Sequence, residues 1–529
     1  MRMNVKQLVS GMTVKQKIGQ MMVCGFETGS PDDPHFEKLV SQYHVGNVIL
    51  FTRNLGNREE TVRLTQAVRD KIMTDCGVPP FVVIDQEGGM VTRIFSAGNI
   101  VPGPLAIGAT YKKENAYEAG RIIAQEMRAL GMNFDYAPCV EEALFRTPSN
   151  VSVRCFSDNP YMVAEYCKQF VRGLQDNGVI ATLKHFPGYT GVLEDAHLEI
   201  PTNIRTKNEL DKIEFTAWRD VIADGADAVM MGHMNCPALD PDCGLTSASY
   251  TVLTKLLKEE MGFKGLVSSD CMDMRSLLDA YGAGPGAVAM VKAGTHLLCV
   301  SHTIESQAAA CDALYEAVTS GEIPEAQVDE IVEHILSFKV KYGLFEERPA
   351  QERIASVDWE ANRQVCERIS RESVTVVRGR ELLPLQTGNG LFISTPPLSL
   401  VIVDEEIAAD DVLCAAAAKR FGGTAREIPL SPDDGLIAQL AREAAEKDYV
   451  VLGTYNAFCN PQQQKLQQAL LAANPKVISV ATRASYDYDC AGDVPGFILL
   501  YEYTKLSIRS LIGVLAGEFE AAGLPPLAL

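Results

Sequence analysis

The sequence contains no Cys-x-x-Cys pair, although its 529 residues include 14 cysteines spread from Cys24 to Cys490. Paired or clustered cysteines are typical of disulfide frameworks and structural zinc sites, whereas scattered ones are typical of free thiols in a reducing compartment. No run of about 18 apolar residues occurs, and the N-terminus lacks the apolar core of a signal peptide. We therefore expect free thiols, no structural metal, no membrane-spanning helix and a cytoplasmic location.

Basic residues are in the minority. The chain has 48 Lys and Arg residues against 68 Asp and Glu residues, which gives a net charge of −20. A surface this acidic repels phosphate backbones and anionic lipids, so we expect neither nucleic acid nor a membrane as a partner. Hydrophobic residues at 47% and charged residues at 22% are ordinary values for a globular protein, and the length predicts two or more domains. The composition leaves the oligomeric state open.

Short apolar runs alternate with longer helix-patterned stretches over residues 1–345. This alternation is the signature of parallel βαβ units. Eight such strands with intervening helices favour a (β/α)8 TIM-like barrel with insertions over an open sheet. The predicted strands are 20–26, 46–51, 81–85, 132–136, 180–185, 227–233, 265–270 and 294–300.

A second alternating region covers residues 375–529 and predicts a smaller three-layer α/β sandwich domain. Residues 346–374 between the two regions are charged and irregular, and we interpret them as a linker that leads into a helix. The second region lacks the Gly-rich loops that bind nucleotide phosphates, so no motif assigns it a nucleotide. Its predicted strands are 399–404, 448–455, 476–483 and 496–503, and its predicted helices lie around 409–421, 433–447, 461–473 and 507–519.

Polar or ionisable residues end several of the predicted barrel strands. They are Asp85, Lys184 with His185, His233 and Asp270. The carboxyl ends of barrel strands converge on one face, so these residues, which are far apart in sequence, should line a single pocket. Any one of them could simply mark where a strand leaves the core, but the set predicts an enzyme.

Two segments that follow strands carry further candidate groups. The loop after Lys184 and His185 contains Asp195 and His197, and a carboxylate so close to a histidine can orient the imidazole and raise its pKa. Such a histidine is a usable general acid near neutral pH. The segment 84–93, IDQEGGMVTR, places two acids, a Gly-Gly turn and an arginine directly after another strand. The glycines let the backbone turn sharply at the rim of the pocket.

Four motifs, in this order, give the chain a resemblance to the family 3 glycoside hydrolases, in their β-N-acetylglucosaminidase branch. That branch carries D-x-E-G-G, R-[SC]-F followed by D-x-P, K-H-F-P-G followed by a loop ending in D-S-H, and a strand ending in S-D-x-x-M. The similarity extends into the second domain, at RASYDY and at the terminal GEFEAAGLPPL, and so covers nearly the whole chain. The four motifs stand here at 85–89, 154–160, 184–188 with 195–197, and 269–274.

The resemblance implies a barrel followed by an α/β sandwich. It also implies a retaining exo-glycosidase, a β-N-acetylhexosaminidase that removes terminal β-linked N-acetylglucosamine from small glycans derived from muropeptides or chitin. Asp270 corresponds to the nucleophile, which forms a covalent glycosyl intermediate, and Asp195 with His197 corresponds to an acid/base dyad. A small saccharide is the implied substrate, and no metal or organic cofactor is implied. The positions that correspond to residues holding the terminal sugar are Asp85, Arg93, Arg154, Lys184 and His185.

One stretch departs from the family pattern. After K-H-F-P-G the family usually has H-G-D-T, where this chain has the stretch from Tyr189 to Val192, and the serine of D-S-H is Ala196. The loop keeps its length and both dyad residues, so we expect activity with altered leaving-group contacts. A catalytically decayed sugar-binding protein is the alternative that this departure supports.

Other activities of barrel enzymes are alternatives. Family 3 β-glucosidases, β-xylosidases and glycoside phosphorylases share the fold, so the sugar and the acceptor are not fixed. Lys184 at a strand end also fits the nucleophile of a Schiff-base aldolase. Metal-dependent hydrolases usually offer an H-x-H pair, which is missing from the eight histidines of this chain. The ligands of such an enzyme would be His185, His197, His233 and Asp270.

Overall fold

The computed structural model describes residues 4–144, 152–190, 192, 194, 199–346, 348–398 and 412–529. Among these residues, the first part of the chain, up to residue 300, contains ten strands. Eight of them form one parallel sheet in the order β10-β1-β2-β3-β6-β7-β8-β9, and the remaining two, β4 and β5, form a short antiparallel hairpin. These strands are β1 (Met22–Cys24), β2 (Asn47–Ile49), β3 (Val82–Ile84), β4 (Gln86–Gly88), β5 (Val91–Thr92), β6 (Phe134–Asp135), β7 (Ile180–Phe186), β8 (Ala228–Met231), β9 (Leu266–Ser269) and β10 (Leu298–Val300).

The eight-stranded sheet closes into a barrel. β10 pairs with β1, and it also meets β9, because Ser268 forms a bridge with Leu297 and the N–H of Ser269 donates to the Leu297 carbonyl at 2.8 Å. The strand residues are buried, as expected for a parallel sheet covered by helices, which explains their near-continuous apolar runs. The eight predicted barrel strands are confirmed, and each lies within its predicted run except β7, which extends to Phe186.

Several helices of the barrel begin at residues that cap a helix N-terminus. At α4, for example, the Asn57 side chain accepts from the Glu60 N–H at 3.1 Å, and the Glu60 carboxylate accepts from the Asn57 N–H at 2.9 Å. Gly77, with a φ of 68°, ends that helix in the left-handed conformation. A π-helix covers Thr251–Glu260. The α-helices are α1 (Val5–Ser10), α2 (Val14–Met21), α3 (Pro34–Tyr43), α4 (Arg58–Cys76), α5 (Pro104–Ala109), α6 (Glu114–Ala129), α7 (Pro160–Asp176), α8 (Lys207–Lys212), α9 (Glu214–Ala223), α10 (Arg275–Ala280), α11 (Ala283–Ala293), α12 (Ile304–Thr319) and α13 (Glu325–Lys341).

A second sheet follows two connecting helices, α14 (Ala350–Ala355) and α15 (Trp359–Ser373). Its strand order is β11-β16-β15-β14-β12-β13, with β11 antiparallel to β16 and the other pairs parallel. The strands are β11 (Thr375–Arg378), β12 (Gly390–Ser394), β13 (Thr424–Glu427), β14 (Tyr449–Thr454), β15 (Val477–Ala481) and β16 (Gly496–Leu499). The helices are α16 (Leu413–Phe421), α17 (Asp434–Ala444), α18 (Pro461–Ala473) and α19 (Lys505–Leu515).

Several elements of this second sheet differ from the prediction. β14, β15 and β16 lie within predicted strands, whereas the predicted strand 399–404 lies outside the described residues. β11, β12 and β13 were not predicted. β13 lies at the edge of the sheet and its residues are half-buried or exposed, so it has no apolar run that would reveal it.

The second sheet packs against the hairpin of the barrel. Met90, between β4 and β5, belongs to a hydrophobic cluster that includes Tyr503 of the C-terminal part. The buried carboxylate of Glu502 accepts from the N–H of Gly103 at 2.6 Å. Gly89 has a φ of 56°, and a Cβ there would lie 2.8 Å from the Glu502 Oε2. The C-terminal part therefore fixes the conformation of the hairpin.

The cysteines occur in both parts of the molecule. All fourteen are free thiols, as predicted.

Within the described ranges, no helix combines the length and the apolar character needed to cross a membrane.

Candidate active site

Side chains at the carboxyl ends of the barrel strands form an ion network. Lys184 of β7 places its Nζ 2.7 Å from Asp85 Oδ1 and 2.6 Å from Glu87 Oε1. Asp85 directly follows β3, and Glu87 lies in β4. Arg154 donates to both oxygens of Glu87, at 2.7 and 2.8 Å. Three residues predicted from the sequence thus meet around Glu87, which lies in a predicted motif but was assigned no role.

Burial and charge set the protonation states of this network. Burial disfavours the Glu87 carboxylate, but the charges and hydrogen bonds of Arg154 and Lys184 outweigh it and hold the Glu87 pKa well below its usual range. Burial also opposes the Lys184 ammonium, yet Asp85 and Glu87 raise the pKa of Lys184 above its ordinary value. A lysine that keeps its proton at neutral pH is a poor nucleophile. The network therefore argues against the Schiff-base aldolase alternative.

The β4–β5 hairpin positions Glu87 and Arg93. Gly88 and Gly89 have φ values of 94° and 56°, which residues other than glycine rarely adopt. The Gln86 side chain accepts from the Arg93 N–H at 2.9 Å, which ties the two ends of the hairpin together. Arg93 is 6% exposed. The hairpin therefore holds Arg93 at a buried position, and its contact with a sugar stays a prediction.

Asp270 follows β9 at the same end of the barrel. Its N–H donates to the Met231 carbonyl at 3.0 Å, and its Oδ1 accepts from the Cys271 N–H at 2.7 Å. The imidazole of His233 lies beneath it, with Nε2 3.2 Å from the Asp270 carbonyl oxygen and Nδ1 2.8 Å from Ser247 Oγ. His233 is fully buried, and both of its ring nitrogens contact protein atoms, so its side chain supports the backbone of Asp270.

Asp273 contacts the neighbouring loop. Its Oδ2 accepts from the His302 N–H at 2.8 Å, and its Oδ1 accepts from the Thr303 hydroxyl at 2.7 Å. Both partners follow β10. Asp273 therefore connects its own loop to the loop after β10 at the mouth of the barrel. The carboxylate of Asp270, in contrast, accepts from the N–H of the next residue, Cys271.

Two carboxylates that no sequence motif indicates lie under the loop that follows His185. Glu141 Oε1 accepts from the N–H and from Nδ1 of His185, both at 3.2 Å, and from the Tyr189 N–H at 3.1 Å. Glu142 Oε2 accepts from the Thr190 hydroxyl at 2.9 Å. Tyr189 and Thr190 belong to the stretch that departs from the family pattern. The two acids therefore anchor the start of this stretch.

The surroundings of Glu142 favour its neutral form. Burial raises the pKa of Glu142 to about 8, and the charges of Glu214 and Glu141 add to the effect while the bond from Thr190 opposes it. Glu142 is therefore protonated at neutral pH. The only sequence signal for this pair is two adjacent acids shortly after β6, a pattern that usually marks a solvated loop.

The predicted dyad residues, Asp195 and His197, lie outside the described residues. The structure therefore places the start of their loop but not the dyad. At that start, the ring of Tyr189 packs against the ring of His185 with 5.2 Å between the centroids.

The Sγ of Cys139, a carboxylate oxygen of Glu141 and a ring nitrogen of His185 lie close enough together to hold a metal ion. This group contains His185 from the metal-dependent hydrolase alternative, but it contains neither His233 nor Asp270. The described ligands of that alternative therefore do not converge.

Comparisons with known proteins agree with this geometry. The glycosyl hydrolase family 3 N-terminal domain matches residues 13–338. A β-hexosaminidase from Xylella fastidiosa (strain M12) is 34% identical over 264 residues, which cover 49% of this chain and 76% of that protein. The structure of a glycoside hydrolase family 3 β-N-acetylglucosaminidase from Paenibacillus sp. str. FPU-7 aligns with 98% of this chain and 99% of its own, at 34% identity and a TM-score of 0.91.

More distant structures share the architecture alone. The β-glucoside phosphorylase BglX aligns with 99% of this chain and 96% of its own, with a TM-score of 0.83 and 20% identity. The predicted barrel and α/β sandwich are confirmed by this agreement and by the strand order of both sheets. From the matched domain, the relatives and the fold, the chain belongs to glycosyl hydrolase family 3 and is a glycoside hydrolase.

Proposed function

We propose that this glycoside hydrolase removes terminal β-linked N-acetylglucosamine from small glycans with retention of configuration. The observation that carries the proposal is the network of Asp85, Glu87, Lys184 and Arg154 at the mouth of the barrel. Fixed, buried charges of both signs suit the hydroxyl groups of one sugar, because each hydroxyl both donates and accepts hydrogen bonds. The names of the β-hexosaminidase and β-N-acetylglucosaminidase relatives support N-acetylglucosamine as that sugar.

The network and its neighbours hold the terminal sugar in this proposal. Asp85 is 19% exposed while Lys184 is 2% exposed, so the carboxylate of Asp85 is the more open of the pair toward the pocket. The bond from His185 Nδ1 to Glu141 leaves Nε2 of the same ring for a sugar hydroxyl. Arg93 and Arg154 complete the set of donors. Positions fixed before binding lower the entropy cost of orienting the sugar.

Asp270 is the nucleophile in the proposed mechanism. Its carboxylate attacks the anomeric carbon and forms a glycosyl ester as the leaving group departs. The N–H of Cys271 holds one carboxylate oxygen in place. His197, oriented by Asp195, protonates the leaving oxygen and then activates the water that hydrolyses the ester, so two inversions give retention.

We further propose that the enzyme is cytoplasmic and acts on imported saccharides derived from muropeptides or chitin. The fourteen free thiols support a reducing compartment, where buried cysteines persist without pairing.

A panel of p-nitrophenyl β-glycosides, assayed with and without phosphate, tests this function. The proposal predicts turnover of the N-acetylglucosaminide well above that of the glucoside and the xyloside, at a rate that phosphate leaves unchanged. Preference for glucoside or xyloside would overturn the proposed sugar. Release of a sugar 1-phosphate would make the protein a phosphorylase, and tight binding without turnover would make it a decayed sugar-binding protein.

A further inference from the structure

We propose that Cys139, Glu141 and His185 form a binding site for a thiophilic divalent cation such as Zn²⁺, and that the bound ion weakens sugar binding by His185. The three donor atoms, one from each residue, lie within 4.8 Å of one another, and all three residues are buried. Thiolate, imidazole and carboxylate are the ligands that zinc prefers, usually in tetrahedral geometry. Three protein ligands leave the fourth position for water.

An unpaired oxygen points independently to a ligand at this site. Glu141 is 0% exposed, and its Oε1 accepts the bonds from His185 and Tyr189. Its Oε2 has no hydrogen-bond partner among the described residues. A buried carboxylate oxygen without a partner costs free energy that a metal–oxygen bond would offset.

The charges around the site balance one divalent cation. Lys184 and Arg154 are neutralised by their ion pairs with Asp85 and Glu87. In the metal-free protein the Cys139 thiol donates to Glu87 Oε2 at 3.8 Å. Once binding displaces that proton, the Cys139 thiolate and the Glu141 carboxylate supply two negative charges, which match one Zn²⁺.

Metal binding would be accompanied by proton movements. When the metal binds, the Cys139 thiol loses its proton to solvent, and its sulfur forms a bond to zinc. If His185 coordinates through Nδ1, the ring proton moves to Nε2, so that the imidazole stays neutral.

Occupation of the site would inhibit the enzyme. With the metal on Nδ1 and the ring proton on Nε2, His185 could only donate to a sugar hydroxyl, whereas in the metal-free enzyme, where Nδ1 donates to Glu141, its Nε2 accepts. This consequence rests on the proposed function, whereas metal binding itself does not. The ion is an inhibitor in this proposal and takes no part in glycoside hydrolysis.

Cobalt provides a direct probe, since Co²⁺ bound to a thiolate gives a charge-transfer absorption band. Zn²⁺ gives no such band, so the band disappears when Zn²⁺ displaces Co²⁺. We would titrate Co²⁺ and then Zn²⁺ into the full chain, into Cys139→Ser and into Cys414→Ser. Cys414 is a buried cysteine of the second sheet domain, so its variant is the matched control. We expect the band at one equivalent in the wild type and in Cys414→Ser, and its loss in Cys139→Ser.

Zinc inhibition of p-nitrophenyl N-acetylglucosaminide hydrolysis is measured against the metal-free rate of each variant. Cys139→Ser should raise the zinc concentration for half-inhibition at least about tenfold. Losing a metal ligand lowers metal affinity more than losing a residue that only hydrogen-bonds to a ligand, and the latter already costs about tenfold or more. Should the serine variant not fold, Glu141→Gln takes its place with the same expectation.

Absence of the band in the wild type, or its persistence in Cys139→Ser, would overturn the site. A band without inhibition would overturn the inhibitory role, and a band in a chain that hydrolyses no glycoside would contradict only the proposed function.

Discussion

Arg154 donates two hydrogen bonds to Glu87, at 2.7 and 2.8 Å, and the two side chains are only 5% and 1% exposed. Lys184 adds a third contact to the same carboxylate at 2.6 Å. Removing one member of a buried ion pair leaves the others as uncompensated charges in a medium that solvates them poorly. Glu87 therefore holds together the cationic side of the pocket.

Glu87→Gln should lower the free energy of unfolding by about 3–5 kcal/mol, because the neutral amide leaves Arg154 and Lys184 buried without their shared counter-charge. Denaturant unfolding followed by circular dichroism measures the loss. Glu165 is the control, since it also pairs with two lysines but is 41% exposed. Glu165→Gln should cost about 0–1 kcal/mol. Equal losses in the two variants would show that burial does not give the Glu87 pairs their strength.

Asp270→Asn should lower kcat/KM for the p-nitrophenyl N-acetylglucosaminide by about 10⁴-fold or more, because an amide cannot form the glycosyl ester. Asp273→Asn should be much milder, since Asp273 accepts its bonds from the loop after β10. Circular dichroism confirms that both variants are folded. Similar losses at the two positions would indicate a role in loop structure for both.

His197→Ala should slow hydrolysis of natural disaccharides by about 10²–10⁴-fold, because their leaving groups need protonation. A dinitrophenyl glycoside has an acidic leaving group and should be affected far less in the glycosylation step. Asp195→Ala should show the same selectivity, and its activity on disaccharides should fall at a lower pH, since the carboxylate raises the imidazole pKa. Normal rates on both substrate classes in His197→Ala would place the proton donor elsewhere.

Glu142→Gln should change how stability depends on pH. Burial raises the folded-state pKa of Glu142 to about 8 from its ordinary value of 4.5. Between these pH values the folded chain binds one proton more than the unfolded chain, so stability falls as the pH rises through this window. The glutamine variant lacks this proton. Its stability relative to the wild type should therefore increase across the window, by about 4 kcal/mol at about 1.4 kcal/mol per pKa unit.

Thermal unfolding of Glu142→Gln and the wild type at pH 5 and pH 8.5 checks this prediction. Glu209, an exposed acid, provides the control variant Glu209→Gln. A stability difference between Glu142→Gln and the wild type that stays constant with pH would contradict the protonated state of Glu142.

The sequence predicts the barrel well because its strands are buried on both faces, and burial leaves continuous apolar runs such as that of β8. It predicts Asp85, Lys184 and Asp270 because strand ends in a barrel converge on one face. It does not predict Glu142, since nothing local distinguishes a solvated acid from one that folding buries and brings next to the distant Thr190 and the charge of Glu214. The roles of the site residues came from the family resemblance, which chain patterning alone could not supply.

The most direct test of the proposed mechanism identifies the residue that carries the sugar. A 5-fluoro N-acetylglucosaminyl fluoride should let the glycosyl ester accumulate, because the ring fluorine slows its hydrolysis while the good leaving group keeps its formation fast. Peptide mass spectrometry then locates the label. The proposed mechanism predicts one sugar per chain on Asp270 and no label in Asp270→Asn. A sugar attached to another residue, or turnover with inverted configuration and no label, would contradict it.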